Sequence, residues 1–237
     1  MSLPPSVHKS THALLRAKLS QLRSQSTSAR ETKLLVSEIA TMIGYEALAD
    51  GLSVTAGAKD KSPLGYEYTC ETISPGHVSL VPILRSGLGM VDAFQSLLPY
   101  PVPIFHLGMY REKSTLQPVE YYNNLPYHTA SSPSSPESSK PSDLAILLDP
   151  IIATGATASA AIDTLRDWGV GRVILCSVLA SRDGLEKVAA VWDEKTADGK
   201  SRVEIWVGGV DDGVDGKGMI RPGLGDVGDR LFGTIGK

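Results

Sequence analysis

The residues best suited to chemistry follow a short apolar run, Leu144–Leu148, which predicts a buried strand of a parallel sheet. Asp149 ends that run, a loop follows to Gly155, and an alanine-rich stretch then predicts a helix. Backbone N–H groups and the positive end of the helix dipole would meet at this loop, and the hydroxyls of Thr154 and Thr157 add further donors. The pattern therefore predicts a phosphate site, with the Asp149 carboxylate placed to accept hydrogen bonds from sugar hydroxyls.

This loop differs from the two common phosphate-binding loops. A P-loop has a lysine after its last glycine, whereas Ala156 follows Gly155 here. A dinucleotide fingerprint has three glycines at fixed spacing, and the loop contains one.

Two arginines and a glycine-rich segment offer further binding groups. Arg85 follows the apolar run Val78–Leu84 and precedes two glycines, so it lies in a strand–turn–helix unit with a guanidinium at the turn. Arg111 lies on a predicted hairpin across Met109–Tyr122. Many glycines follow position 208, which indicates backbone brought close to a ligand.

Strands that alternate with helices predict an α/β fold with a mainly parallel sheet and ligands at the carboxyl ends of the strands. Ser28 and Glu31 form a capping box that predicts a helix to about Asp50. Further strands are predicted at Tyr66–Ile73, Val102–Met109, Val173–Leu179 and Val203–Val207.

Three segments are expected to lie outside regular elements. Residues 1–9 are polar and expected to be loosely ordered, and Ala56–Pro63 is expected to be a turn-rich connector. Residues 127–142 are rich in Ser and Pro and predict a flexible insertion immediately before the phosphate-loop strand.

Composition excludes several classes of protein. The 237 residues are 42% hydrophobic with a net charge of −3, which suits one globular domain and favours neither nucleic acid nor anionic membranes as partners. The two cysteines lie in strand-like stretches and are expected to be buried thiols. With no signal-peptide pattern and no run long enough to cross a membrane, we expect a cytoplasmic protein.

Four motifs, in this order, resemble those of uracil phosphoribosyltransferases, a branch of the type I phosphoribosyltransferases. They are VPILRSGLGM (Val81–Met90), GMYREKSTLQPVEYYNNLP (Gly108–Pro126), DPIIATGAT (Asp149–Thr157) and PGLGDVGDRLFGT (Pro222–Thr234). The resemblance covers nearly the whole chain. It implies a single domain of the type I phosphoribosyltransferase fold, with a mainly parallel sheet flanked by helices, a β-hairpin arm at 108–126 and a small C-terminal hood at 208–237.

The resemblance also implies the substrates and the residues that bind them. The reaction is transfer of a phosphoribosyl group from phosphoribosyl pyrophosphate (PRPP) to uracil, giving UMP and pyrophosphate, with Mg²⁺ held mainly by PRPP and water rather than by the protein. PRPP would be bound by Arg85, Arg111, Asp149, Pro150, Ile151, Ile152, Ala153, Thr154, Gly155, Ala156, Thr157 and Asp226. Uracil would be bound by Ile220, Gly225, Asp226 and Val227. The catalytic residues would be Asp149, Arg85 and Arg111, and the peptide after Arg85 would be strained or cis.

The chain departs from the common family pattern at three places. Most type I enzymes have two adjacent acids where this chain has Asp149-Pro150. The Asp-Pro variant resembles the pattern of the uracil phosphoribosyltransferases. Val227 replaces a common alanine, and Ala156-Thr157 replaces a common Gly-Ser. The resemblance further suggests a homo-oligomer, dimer or tetramer, with GTP as a candidate activator.

Three alternatives remain open at this point. A regulatory RNA-binding protein on the same fold would need a basic face, which the charge balance disfavours. A catalytically silent, pyrimidine-sensing relative would be expected to lose phosphate-loop residues that this chain keeps. An enzyme for xanthine or hypoxanthine is disfavoured by the GLGDVGDR segment.

Overall fold

The computed structural model describes residues 2–112, 117–126, 141–197 and 199–234, and of Arg111 it describes the backbone only. Within these ranges the chain alternates strands and helices. In order, these are β1 (Val7–Lys9), α1 (Ala13–Arg23), α2 (Ala29–Gly51), β2 (Ser53–Lys61), β3 (Glu67–Ser74), β4 (Val78–Leu84), α3 (Leu88–Leu97), β5 (Leu107–Arg111), β6 (Pro118–Asn123), β7 (Leu144–Leu148), β8 (Ile151–Ile152), α4 (Ala156–Trp168), β9 (Arg172–Ser181), α5 (Arg182–Ala189), β10 (Val203–Asp211), β11 (Gly213–Val214), β12 (Ile220–Arg221) and α6 (Val227–Phe232).

The central sheet is mainly parallel, as predicted. Its strand order is β1-β10-β9-β7-β4-β5-β6, with β8 also paired to β9. Every described pairing in it is parallel except that of β6, which runs antiparallel to β5 and forms the hairpin arm. The arm's predicted strands are therefore confirmed, and residues 113–116 at its tip lie outside the described residues.

Helices cover both faces of this sheet. On one face α1, α2 and α3 bury side chains such as Leu15, Ile39 and Phe94. On the other face α4 and α5 bury Ile162 and Leu185. Strands buried on both faces read as unbroken apolar runs, which is why the sequence predicted β4, β7 and β9 so directly.

The N-terminus is more ordered than expected. Val7–Lys9 forms the edge strand β1 beside β10, and the Ile205 N–H donates to the Ser6 carbonyl at 2.8 Å. The expectation of a loosely ordered 1–9 segment is therefore wrong for residues 7–9. Burial of Val7 against the sheet fixes this short strand, a contact that local composition does not reveal.

The predicted connector at Ala56–Pro63 is also wrong for most of its length. Residues 53–61 form β2, which pairs antiparallel with β3 in a separate two-stranded sheet. Strand β3 was predicted at Tyr66–Ile73 and is confirmed. Strand β2 is largely exposed and shows neither the apolar run nor the strict alternation that predicts a strand.

Strand β5 begins at Leu107 rather than at Val102. Before it, Ile104 makes only an isolated bridge to Leu80. Pro101 and Pro103 have no N–H to donate, which disfavours a regular ladder at the predicted start of the strand. The helix predicted from the capping box is confirmed, since the Glu31 N–H donates to the Ser28 hydroxyl and α2 ends at Gly51.

Two predicted boundaries move in the folded chain. Residues 127–140 of the Ser/Pro-rich insertion lie outside the described residues, but Ser142 at its end is buried and its hydroxyl donates to that of Ser79 at 2.9 Å. Strand β10 continues to Asp211, so residues 208–211 of the expected hood belong to the central sheet.

Among the described residues, no helix has the length and apolar character needed to cross a membrane.

Candidate active site

A cleft of about 930 Å³ opens at the carboxyl ends of β4 and β7. Its walls are the loop after β7, the turn after β4, the base of the hairpin arm and the hood. Of the residues predicted to bind PRPP or uracil, the following line it: Arg85, Asp149, Ile151, Ile152, Ala153, Thr154, Gly155, Ala156, Thr157, Ile220, Gly225, Asp226 and Val227.

The phosphate loop runs from Asp149 to the start of α4. Gly155 is the N-cap of α4 and has a φ of +76°, a conformation that glycine adopts without strain. The Ala156 N–H lies 3.5 Å from the Thr154 hydroxyl, within the first turn. Pro150 is buried and does not line the cleft, and its carbonyl accepts hydrogen bonds from the N–H groups of Val178 and Leu179, each at 3.0 Å. The loop thus presents a helix N-terminus to the cleft, an arrangement that suits an anion.

Asp149 is the acid at the base of the cleft. The residue is 6% exposed, and its described partner is the Ile151 N–H, 3.4 Å from Oδ1. Burial raises the pKa of its carboxyl to about 7, and the Ile151 N–H offsets only part of that rise. A carboxylate with so few donors has acceptor capacity to spare for the hydroxyls of a ligand.

Arg85 joins the turn after β4 to the hood. Its Nη2 donates to Oδ1 of Asp229 at 3.2 Å and its Nη1 to the Thr234 hydroxyl at 3.5 Å, and the side chain stays about half exposed. The cis peptide is Leu84–Arg85, so it precedes the arginine, and a cis peptide after Arg85 is not found. Gly87 packs the turn against β7, because a Cβ there would lie 2.4 Å from the Leu148 carbonyl oxygen.

The hairpin arm brings aromatic side chains to the cleft. Tyr110 and Tyr121 lie on opposite strands with ring centroids 6.1 Å apart, and both line the cleft beside Met109. Arg111 is the last residue of β5, which places its backbone at the same end of the arm.

The hood reaches the cleft through backbone with left-handed glycines. Gly223 and Gly225 have φ values of +63° and +79°, and Asp226 caps α6 by accepting the Asp229 N–H at 3.0 Å. Ile220 and Val227 are apolar and almost fully buried, so their part of the cleft wall carries no charged side chain. Such a surface suits a small neutral ligand that is read by main-chain groups.

A partly buried ion pair anchors this hood segment to α1. Arg23 makes two hydrogen bonds to the Asp211 carboxylate, at 2.8 and 2.6 Å, and a third to the Gly223 carbonyl at 2.7 Å. The Gly223 N–H donates back to Asp211 at 2.9 Å. Burial acts to raise the pKa of Asp211, but the hydrogen bonds from Arg23 and Gly223 outweigh it and lower that pKa.

Arg230 adds a second anchor by donating to the carbonyls of Leu22 and Leu224, each at 2.6 Å. Sequence reasoning missed these anchors because no local pattern joins residues so far apart in the chain. It also missed several cleft-lining residues, namely Ser86, Met109, Tyr110, Tyr121, Gly216, Lys217, Gly218, Met219, Leu224 and Gly228. The aromatic pair on the hairpin was the one signal that could have indicated some of them.

The protein side chains do not supply a metal cage in the described part of the chain. There, no three His, Cys, Asp or Glu side chains cluster closely enough to hold an ion. The carboxylates that face the cleft, Asp149 and Asp226, would suit a cation that takes most of its ligands from a phosphate substrate and water.

Comparison with known proteins agrees with this geometry. The sequence model of the family described as uracil phosphoribosyltransferase matches residues 9–234. The uracil phosphoribosyltransferase of Finegoldia magna is 40% identical, with 94% of this chain and 96% of that protein covered. That of Roseiflexus castenholzii is also 40% identical, with 95% and 97% covered.

Solved structures extend the likeness to the fold. The AQ2163 protein of Aquifex aeolicus superposes with a TM-score of 0.81 at 29% identity, covering 95% of this chain and 97% of that one. The adenine phosphoribosyltransferase of Trypanosoma brucei reaches a TM-score of 0.50 at 16% identity, covering 89% and 85%, which shows the fold alone. On the family match, the extent of the relatives and the shared architecture, the chain belongs to the uracil phosphoribosyltransferase family.

Proposed function

We propose that this protein transfers the phosphoribosyl group of PRPP to uracil, giving UMP and pyrophosphate. One observation supports this above all: a single cleft holds a phosphate loop, an arginine turn and a glycine-rich hood in a chain of this family. In the reaction the bond from C1′ to the pyrophosphate oxygen breaks and pyrophosphate leaves with its electron pair. The bond from C1′ to N1 of uracil forms, and the N1 proton is released to solvent.

The 5′-phosphate would bind at the loop after β7. The free N–H groups at the start of α4, the helix dipole and the hydroxyls of Thr154 and Thr157 all favour a dianion there. The buried Asp149 carboxylate would accept hydrogen bonds from the ribose hydroxyls. The sugar is thereby fixed from two directions, which orients C1′ toward the hood.

The pyrophosphate would lie between Arg85 and Arg111. A guanidinium offers paired donors that match phosphate oxygens, and charge on the leaving group grows as the C1′–O bond breaks. Arg85 already lies at the cleft, so pyrophosphate would share or replace its contact with Asp229. Mg²⁺ bound with PRPP would supply further neutralisation of that charge.

Uracil would bind at the hood, read by the backbone around Gly225 and Asp226 with Ile220 and Val227 as apolar walls. Glycines let the main chain approach the flat base closely. Val227 adds volume where many relatives have alanine, which narrows the pocket against larger bases.

The test is to mix purified protein with PRPP, Mg²⁺ and each nucleobase in turn, and to measure nucleotide and pyrophosphate. We expect UMP from uracil and poor turnover of cytosine and purines. Turnover of a purine equal to that of uracil would contradict the proposal, and so would binding of PRPP without any product.

We also propose a cytoplasmic homo-oligomer, dimer or tetramer, with GTP as a candidate activator. Support for association comes from the β2–β3 hairpin and its tip, where Val54, Leu64 and Tyr66 are 67%, 83% and 74% exposed. Sedimentation velocity with and without GTP, alongside initial rates, tests both points. A monomer whose rate ignores GTP would reject them.

A further inference from the structure

We propose that Ser181 and Gly184, at the junction of β9 and α5, are positioning residues that set the orientation of the 5′-phosphate loop. Neither residue lines the cleft, and both lie behind the loop at Ala153. This inference rests on the proposed function, because it assigns a role within the PRPP site.

The Ser181 hydroxyl joins two elements by donating one hydrogen bond and accepting another. Its Oγ donates to the Ala153 carbonyl at 2.5 Å and accepts the Gly184 N–H at 2.9 Å. The residue has no exposed surface, so water does not compete for these bonds. One side chain is thus both the N-cap of α5 and a tether for the phosphate loop.

The tether has a directional consequence at the next residue. In a trans peptide the carbonyl and the following N–H lie in the peptide plane and point in opposite directions. Because the Ala153 carbonyl is held toward α5, the Thr154 N–H points away from α5, on the side of the cleft. An N–H fixed there before the ligand arrives loses no ordering entropy on binding phosphate. Without the tether this peptide is free to rotate and to aim its carbonyl, an acceptor, at an anion.

Gly184 permits the close approach that this arrangement needs. A Cβ at Gly184 would lie 2.3 Å from the Ala153 carbonyl oxygen, and a Cβ at Gly155 would lie 2.7 Å from the Gly184 carbonyl oxygen. The loop and the start of α5 therefore pack backbone to backbone, and any side chain at Gly184 pushes the loop outward.

Ser181→Ala and Gly184→Ala test the role, with Ser28→Ala as a matched control. Ser28 is also a serine N-cap, on the long helix α2, and its hydroxyl is exposed and makes no contact with the cleft. The measurements are KM for PRPP and for uracil, calorimetric Kd for ribose 5-phosphate and for pyrophosphate, and thermal midpoints. Ser181→Cys is slightly larger than serine and replaces the hydroxyl with a weak thiol donor, and it carries the same test if Ser181→Ala does not fold.

We expect Ser181→Ala to raise Kd for ribose 5-phosphate and KM for PRPP about fivefold, the usual worth of one hydrogen bond. Kd for pyrophosphate and KM for uracil should stay within about twofold, since those subsites rest on other elements. Gly184→Ala should raise the same two constants further. Ser28→Ala should lower the thermal midpoint while leaving every ligand constant unchanged.

Several results would overturn the inference. A Ser181→Ala protein with a lower thermal midpoint but an unchanged Kd for ribose 5-phosphate would show that Ser181 only stabilises α5. Equal weakening of ribose 5-phosphate and pyrophosphate would show general disorder of the site. Failure of the proposed function is a separate outcome, since it appears as a wild-type protein that makes no UMP, whereas ribose 5-phosphate binding reports on Ser181 directly.

Discussion

Asp149→Asn tests the electrostatics of the cleft and the proposed contact with ribose together. Burial raises the pKa of the Asp149 carboxyl to about 7, against ~3.9 in the unfolded chain. The folded protein therefore keeps an extra proton between these values. The contribution of that proton to the free energy of unfolding is fully present below pH ~4 and is lost as the pH rises through about 7. At ~1.4 kcal/mol per unit, the shift corresponds to about 4 kcal/mol over the whole window.

The assay is urea denaturation of both proteins from pH 5 to pH 8.5. Asn is nearly isosteric and does not ionise, and every other titrating group is common to both proteins, so the difference in unfolding free energy isolates Asp149. The wild type should lose about 3 kcal/mol relative to the variant across this range. A difference constant to within about 0.5 kcal/mol would refute the reasoning, because Asp149 would then titrate as an ordinary exposed acid.

The same variant also tests catalysis, in which the charged form of Asp149 should be favoured, whereas the neutral form favours folding stability. The charged carboxylate is the better acceptor for ribose hydroxyls, so kcat/KM for PRPP in the wild type should rise with pH and level off above about 7. Asp149→Asn should lower the plateau by about one to two decades, equivalent to 1.5–3 kcal/mol, and remove the rise. A variant that keeps the same pH dependence would show that another group controls it.

Three further predictions concern other parts of the chain. Arg85→Ala should lower kcat/KM for PRPP by about one to two decades, and by more than Arg111→Ala does, because contacts with the hood hold Arg85 at the cleft before substrate arrives. Steady-state kinetics at matched Mg²⁺ test this, and a larger defect in Arg111→Ala would contradict it. Arg23→Ala leaves the Asp211 carboxylate buried without its partner, so we expect the free energy of unfolding to fall by about 3 kcal/mol and the KM for uracil to rise. An unchanged KM for uracil would show that the hood does not depend on this ion pair. Deleting residues 128–140 should leave activity and cooperative thermal unfolding nearly intact, because that stretch has almost no residue able to join a core; loss of the cooperative transition would argue against it.

Much of the fold could be predicted from local sequence patterns. The apolar runs of β4, β7 and β9 predicted the parallel sheet because strands buried on both faces need no polar side chains. The capping box at Ser28 predicted the start of α2 because its two hydrogen bonds join residues three apart in sequence. The exposed strand β2 was not predicted, because nothing in its own composition distinguishes it from a loop.

The same division holds at the cleft. The sequence by itself was enough to predict the position of the phosphate loop, because a strand end, a glycine and a helix start are consecutive in the chain from Asp149 to Ala156. Only the tertiary structure decided how these groups are held. Arg23 reaches Asp211, and Ser181 reaches Ala153, across long separations in sequence. Such contacts arise when distant elements pack around a common core, and hydrogen bonds of that kind leave no periodicity or spacing for local reasoning to detect.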